Sequence, residues 1–301
     1  MKRVTSISLG SSQRNKSVEA YFLGEKFQIE RVGTDGDLKL FHQKLVELDG
    51  QVDAFGLGGT DMHIYAAGKR YTFRQIEKLA SAAVKTPVVD GSGLKNTLER
   101  ETVQYLQREG IVDFAHSKVL LVSAVDRFGM AEALDATGAS VVYGDMMFGL
   151  GVPIALRSLG AVNKAAKVLL PLVVQMPFSW LYPTGEKQNT ITPKWTNFYD
   201  EANVIAGDFP YIRRYMPETL AGKIVLTNTT TAEDVEALTK RGVKTLITTT
   251  PEFEGRSFGT NVMEGVLVTL SGRKPEDLSP KDYMDLMAKL NWKPRIQTLN
   301  T

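Results

Sequence analysis

Short apolar runs rich in Val, Ile and Leu alternate along the chain with stretches of helical spacing, and glycine, hydroxyl or acidic residues close most of the runs. In the first part, strands are predicted near 5–9, 17–23, 27–32, 53–57 and 87–89, with a hairpin turning through Gly68. Helices are predicted over 37–48, 72–83 and 94–108; in the last, Leu94, Leu98, Val103 and Leu106 make an apolar stripe. The stretch 118–145 reads as strand, tight loop, helix and strand. Its apolar run 119–122 breaks at Ser123, Gly129 opens a helix, and 141–143 leads to Asp145. Further strands are predicted at 202–206, 223–226 and 244–247, each before a helical stretch. Such alternation predicts an α/β protein of two domains, the second a Rossmann-like doubly wound parallel sheet. The domains are placed at 1–113, substrate-type, and 114–301, nucleotide-binding, with an apolar helical insertion at 146–183.

In open α/β sheets ligands bind beyond the carboxyl ends of the strands, so residues there are the first candidates. The unit 118–145 has the outline of a mononucleotide-binding βαβ, in which a helix N-terminus meets a phosphate and a distal acid meets a ribose hydroxyl. Its loop lacks the standard glycines, since Ser123, Val125 and Phe128 stand in their places. Ser123, Asp126, Arg127, Gly129 and Asp145 are the cofactor candidates there, joined by Thr227, Asn228 and Thr229 after a later strand. Asp145 reads equally as a ribose ligand or a solvated strand-end acid, and Arg127 as a phosphate partner or a solvent-facing side chain. Thr230 or Thr231 before Glu233 and Asp234 is a helix start by capping chemistry. In 90–101, DGSGLKNTLERE, a glycine-rich turn opens a helix and Lys95 stands about one turn inside. Lys95 is the catalytic candidate, or else an i, i+4 partner of Glu99. Asp90 is its companion proton acceptor, or a helix cap.

Composition narrows the chemistry. Of 301 residues, 43% are hydrophobic and 23% charged, the profile of a globular protein, and the net charge of +2 gives no electrostatic case for nucleic acid. The absence of cysteine removes disulfides, thiolate metal ligands and thioester chemistry, and a cytoplasmic location is expected. His42, His63 and His116 have no metal spacing, and no G-x-S-x-G elbow occurs, so neither a metal site nor a serine hydrolase is expected.

The segment 146–183 is too apolar for a solvated loop and too broken by Pro153, Pro171 and Pro177 for an ordinary membrane span. A homodimer face is the leading expectation; a lid over a hydrophobic substrate and an interfacial membrane contact are the alternatives. The polar loop 185–194 is placed to close over the cleft.

The pieces GLGGTD, VVDGSGLKNTLERE, LVSAVDRFGMAEAL, GDFPYIRRYMP, TNTTT and TTTPEFEGRSFGTNVMEG resemble bacterial proteins called quinate 5-dehydrogenase, over nearly the whole chain. The resemblance implies a shikimate- and quinate-dehydrogenase architecture, with NAD or NADP on the second domain and a polyhydroxylated acid between the domains. The superfamily's N-V-T-x-P-x-K and N-T-D-x-x-G motifs are missing; Lys95 with Asn96 and Thr97 is only a loose parallel. The expected function is thus an NAD(P)-dependent oxidoreductase with a small-molecule substrate. Lys95 moves the proton, Asp90 orients it, Gly59, Thr60, Asp61 and Asn261 bind substrate, and Arg256 holds a carboxylate. The alternative is a non-redox transferase or ligand sensor on the same scaffold.

Overall fold

The computed structural model describes residues 1–176, 191–250, 252–253 and 256–301, without the side chains of 252–253 and 256–257. It is a mixed α/β protein with two sheet-containing domains.

The first sheet comprises β1 (Lys2–Ser8), β2 (Lys16–Phe22), β3 (Glu25–Gly33), β4 (Ala54–Gly58) and β7 (Val88–Val89), ordered β2-β3-β1-β4-β7. All are parallel except β2, which runs antiparallel to β3. Helices α1 (Leu38–Leu48), α2 (Arg74–Ala80) and α3 (Ser92–Arg108) surround it, and the hairpin of β5 (His63–Ala66) and β6 (Lys69–Thr72) lies outside it. β1 is buried from Val4 to Ser8, as a parallel strand covered on both faces should be. Ile7, Phe55 and Leu57 meet Phe41 and Leu45 of α1 on one face, while Val4 and Ala54 meet Val262 and Val266 on the other.

The second sheet contains β8 (Lys118–Leu121), β9 (Ser140–Tyr143), β10 (Val204–Ala206), β11 (Ile224–Thr227), β12 (Thr245–Thr248) and β15 (Arg295–Thr298). Its order is β15-β12-β11-β10-β8-β9, parallel except for β15. Its helices are α4 (Phe128–Ala136), α5 (Leu159–Val173), α6 (Thr196–Glu201), α7 (Phe209–Tyr215) and α8 (Ala232–Lys240); α8 starts on a capping box between Thr231 and Asp234. A short ribbon of β13 (Glu252–Phe253) and β14 (Arg256–Ser257) then leads into α9 (Thr260–Ser271) and α10 (Pro280–Lys289).

These last two helices return to the first domain. Val262, Met263, Val266 and Met287 share an apolar cluster with Val4, Phe22 and Phe27, after which β15 re-enters the second sheet. A single joint near residue 113 therefore does not describe the chain, which crosses between the sheets three times. The C-terminal helices escaped the strand-and-helix count because a helix pattern does not reveal which sheet it covers.

In each sheet the first strand, β1 or β8, has neighbours whose connections leave in opposite directions. The resulting crevices open beside β1 and β4 and beside β8 and β10, where ligands of such sheets bind. Helix α3 holds the two crevices face to face. Its start is fixed by Gly91, whose φ of +93° suits glycine and whose absent side chain lets Asn261 approach.

The apolar segment 146–176 forms a π-helical turn at 145–149 and then α5, which buries Val162, Ala166 and Leu170 and leaves Val168 and Leu172 exposed. Residues 177–183 of the expected insertion and 185–190 of the expected closing loop lie outside the described residues. Among the described residues no helix is long and apolar enough to cross a membrane.

Helix α4 meets α3 at Gly129, where a Cβ would collide with the Asn96 carbonyl oxygen. We expect Gly129→Ala to lose about 1–3 kcal/mol in urea unfolding; an unchanged midpoint and slope would contradict this close approach.

Candidate functional site

The two crevices form one cleft of about 940 Å³. Its first wall carries Ser6 and Ser8 of β1, Gly10 just after it, and Gly58, Gly59, Thr60 and Asp61 from the end of β4. The second carries Asp126 and Arg127 after β8, Asp208 after β10 and Asn228 to Thr231 after β11. α3 and the start of α9 contribute Lys95 and Thr260 with Asn261.

The floor is a buried charge network. Lys95 Nζ donates to Asp61 Oδ1 at 3.0 Å and to Asp126 Oδ1 at 2.8 Å. Arg127 pairs with Glu99 and with Asp208, and its Nε lies 3.3 Å from Asp126 Oδ2. Asp208 also accepts from Asn228 Nδ2 at 3.0 Å and donates its backbone N–H to Ser123 Oγ at 3.3 Å. Two cations thus face four carboxylates, an excess that low-dielectric surroundings make costly.

The excess is relieved by protons. Burial raises the Asp61 carboxyl to about 7 against the pull of Lys95, and raises Glu99 to about 7 against that of Arg127. Burial also raises Asp208. Asp126 would rise for the same reason, but Lys95 and Arg127 together bring it below the ordinary carboxylate range. Burial opposes the charge on Lys95, yet Asp126 and Asp61 outweigh it and raise its pKa. At neutral pH Lys95 is a fixed ammonium, placed to donate hydrogen bonds rather than to accept a proton.

Asp90 is occupied by the backbone. Its Oδ2 accepts from the N–H groups of Met62 (2.6 Å) and His63 (2.7 Å), and Oδ1 from Ser92 N–H (3.0 Å) and Oγ–H (2.6 Å). It ties the turn after β4 to the start of α3. Nearby Glu264 accepts from Gly91 N–H at 2.7 Å and Tyr283 O–H at 2.9 Å, and burial with Asp90 beside it raises its carboxyl to about 8.

The expected dinucleotide site is not built. Arg127 and Asp126 are taken up in ion pairs, and Gly129 at the start of α4 is covered by Asn96 of α3. Asp145 is neither a ribose ligand nor a solvated acid: its Oδ1 accepts from Val125 N–H at 2.8 Å, and burial raises it to about 6. Thr227 Oγ donates to the Gly207 carbonyl oxygen at 2.8 Å, and Asn228 binds Asp208. Ser123 receives the Asp208 N–H, and Thr229 lines the cleft. A pyrophosphate here would meet three or four carboxylates in place of a glycine cradle.

Gly59, Thr60, Asp61 and Asn261 do line the cleft, with Asn261 Nδ2 donating to Ser6 Oγ at 2.9 Å. The side chain of Arg256 lies outside the described residues. Thr60 Oγ1 and Thr260 Oγ1, both on the lining, are buried without a hydrogen-bond partner.

The sequence reading missed the basic end of the cleft. Arg31 of β3 donates to Ser8 Oγ and to the Ser11 carbonyl oxygen, each at 2.9 Å, and Arg14, Arg214 and Arg295 join it on the lining. Burial, together with the neighbouring Arg14 charge and against the pull of Asp35, lowers Arg31 to about 10. The turn Ser8-Leu9-Gly10 after β1 was the available signal; an arginine inside a strand gives none.

The chain belongs to the family described as Domain of unknown function (DUF8754). That model matches residues 93–299, and one described as Domain of unknown function (DUF8753) matches residues 3–90. The two meet at the Gly91 turn that opens α3. No curated protein matches the chain. Solved structures similar to it include a Mycobacterium smegmatis protein in complex with β-D-fucofuranose, 11% identical over 99% of both chains, TM-score 0.35. Another is a periplasmic solute-binding protein of an ABC transporter from Actinobacillus succinogenes 130z with bound D-allose. It is 11% identical over 99% of this chain and 98% of its own, with a TM-score of 0.38. A third is the Leu-bound hetero-hexameric glutamate dehydrogenase from Thermus thermophilus, 13% identical over 96% of this chain and 74% of its own, TM-score 0.41. Likeness of this degree carries no inference to this chain's ligand.

The expected kinship with quinate 5-dehydrogenases is therefore corrected. The models that match are those of families of unknown function, and the loop after β8 holds paired charges where a dinucleotide site needs a glycine cradle. The expectations of an oxidoreductase and of NAD or NADP fall with it, for the physical reasons just given.

Breaking the network should be expensive. Arg127→Met leaves Glu99 and Asp208 buried without their cation, and we expect a loss of about 3–5 kcal/mol in urea unfolding. Adding Glu99→Gln should recover part of it; no loss in the single variant would contradict the network. Stability should also depend on pH. Asp61, Glu99, Asp145 and Glu264 all have raised folded-state values, so they stabilise fully below their unfolded values near 4. That contribution is lost as pH rises through about 6 to 8. His63, lowered by burial, acts oppositely, but it is one group against four. Unfolding free energy should be greater at about pH 5.5 than at about pH 8, and Glu264→Gln should flatten the profile. Greater stability at the higher pH would contradict the assignment.

Proposed function

We propose that the protein is a non-redox, ligand-binding protein that takes a small polyhydroxylated acid in the cleft between its two sheets. The observation that carries this reading is the pairing, in one cleft, of an acidic, proton-sharing floor with a basic end. Hydroxyls of the ligand donate to Asp61, Asp126 and Asp208 and accept from Lys95, and they meet the partnerless Thr60 and Thr260 hydroxyls. At the other end Arg31 and Arg14 repel one another, and a carboxylate between them relieves the repulsion by charge-assisted hydrogen bonds. The ligand is small because the cleft volume is in the range of small-molecule sites.

Isothermal titration with D-glucuronate and with uncharged D-glucose tests this. The acid should bind at least about tenfold more tightly, the worth of one charge-assisted bond. Arg31→Met should erase most of the difference. Equal binding of the two sugars would overturn the carboxylate site, and binding of neither at millimolar concentration would overturn the reading as a whole.

A further inference from the structure

A second cavity, of about 120 Å³, lies at the end of β8 under α5. Val122, Val125 and Leu156 form one side; Val162, Ala166 and Leu169 form the other. Asp126 and Tyr211 line both this pocket and the polar cleft, so the two cavities share a wall. The pocket wall also carries Asp145, whose Oδ2 is buried without a hydrogen-bond partner. The rest of the lining is mostly apolar, so a group entering here is held by burial rather than by hydrogen bonds.

We propose that this pocket is a subsite for a compact apolar substituent, an aromatic ring or branched aliphatic chain, carried by the same ligand whose polar part occupies the cleft. The inference rests on the cleft reading above and narrows its ligand from a polyhydroxylated acid to one with an apolar group attached. Size supports it, because an apolar cavity of about 150 Å³ holds a benzene molecule and this one is slightly smaller. Placement supports it too. The pocket sits at the crevice beside β8 and β10, and Asp126 and Tyr211 line it and the cleft alike.

Two probes separate the parts. Benzene tests the pocket alone, followed by methyl NMR shifts of Val162 and Leu169; phenyl β-D-glucuronide and D-glucuronate form a matched pair that tests the connection. Benzene should shift those methyls saturably, and the phenyl glucuronide should bind at least about tenfold more tightly than glucuronate, as burial of a ring predicts. Ala166→Leu, which fills the pocket, should abolish the benzene shifts and bring the two compounds to within about twofold of each other. The wild-type comparison stands by itself if that variant does not fold.

Equal wild-type affinities for the matched pair would overturn the proposal. Intact glucuronate binding with no benzene shifts would also overturn it and leave the cleft reading standing. Benzene binding with no affinity for either glucuronide compound would overturn the cleft reading and the connection together, confining the pocket to a separate apolar ligand.

Discussion

Arg127 is the residue on which the arrangement turns. It sits in the loop where a nucleotide-binding site would hold a phosphate, and its guanidinium reaches Glu99 of α3, Asp126 of its own loop and Asp208 after β10. With Lys95 bridging Asp61 and Asp126, these contacts stitch the first sheet's crevice to the second's. A buried network of this kind adds little stability compared with an apolar replacement, but losing one member strands charges in a medium that cannot solvate them. The cleft floor is consequently rigid in composition: each group there is held by another.

The same imbalance of charge shapes what the cleft accepts. An acidic floor disfavours a phosphate at the start of α4, the position from which a dinucleotide site is normally built. It favours hydroxyl donors, and its raised carboxyls become donors themselves when protonated. The proposed place for an anionic group is the opposite end, where Arg31 and Arg14 line the cleft near the end of β1. Separating the two signs within one cleft would orient a ligand that carries both hydroxyls and an acid group.

Most of the elements were legible in the order of apolar and polar positions. Every strand read before residue 250 has a counterpart within a few residues, because parallel strands buried on both faces leave uninterrupted Val, Ile and Leu runs closed by turn residues. What the pattern could not show was partnership. Helices α9 and α10 look like the continuation of the second domain, yet their apolar faces fit the first sheet. The site was legible in part: Lys95 was placed by helix-start chemistry and Asp61, Thr60 and Asn261 as substrate-binding candidates, and they meet in the cleft. Their partners were not. Glu99 stands one turn from Lys95 and invites an i, i+4 pair, but α3 turns both toward α4 and different partners, a choice set by tertiary packing. Asp145 occupies the position of a ribose-binding acid and instead closes the β8–α4 loop on the Val125 N–H, which only the fold reveals.

A crystal structure of the protein with D-glucuronate tests the account most directly. The account predicts the sugar in the cleft between the sheets, its carboxylate between Arg31 and Arg14 and its hydroxyls on Thr60, Asp126 and Lys95. A sugar whose carboxylate lay away from both arginines, or a cleft that stayed empty at saturating concentration while NAD occupied the start of α4, would contradict it.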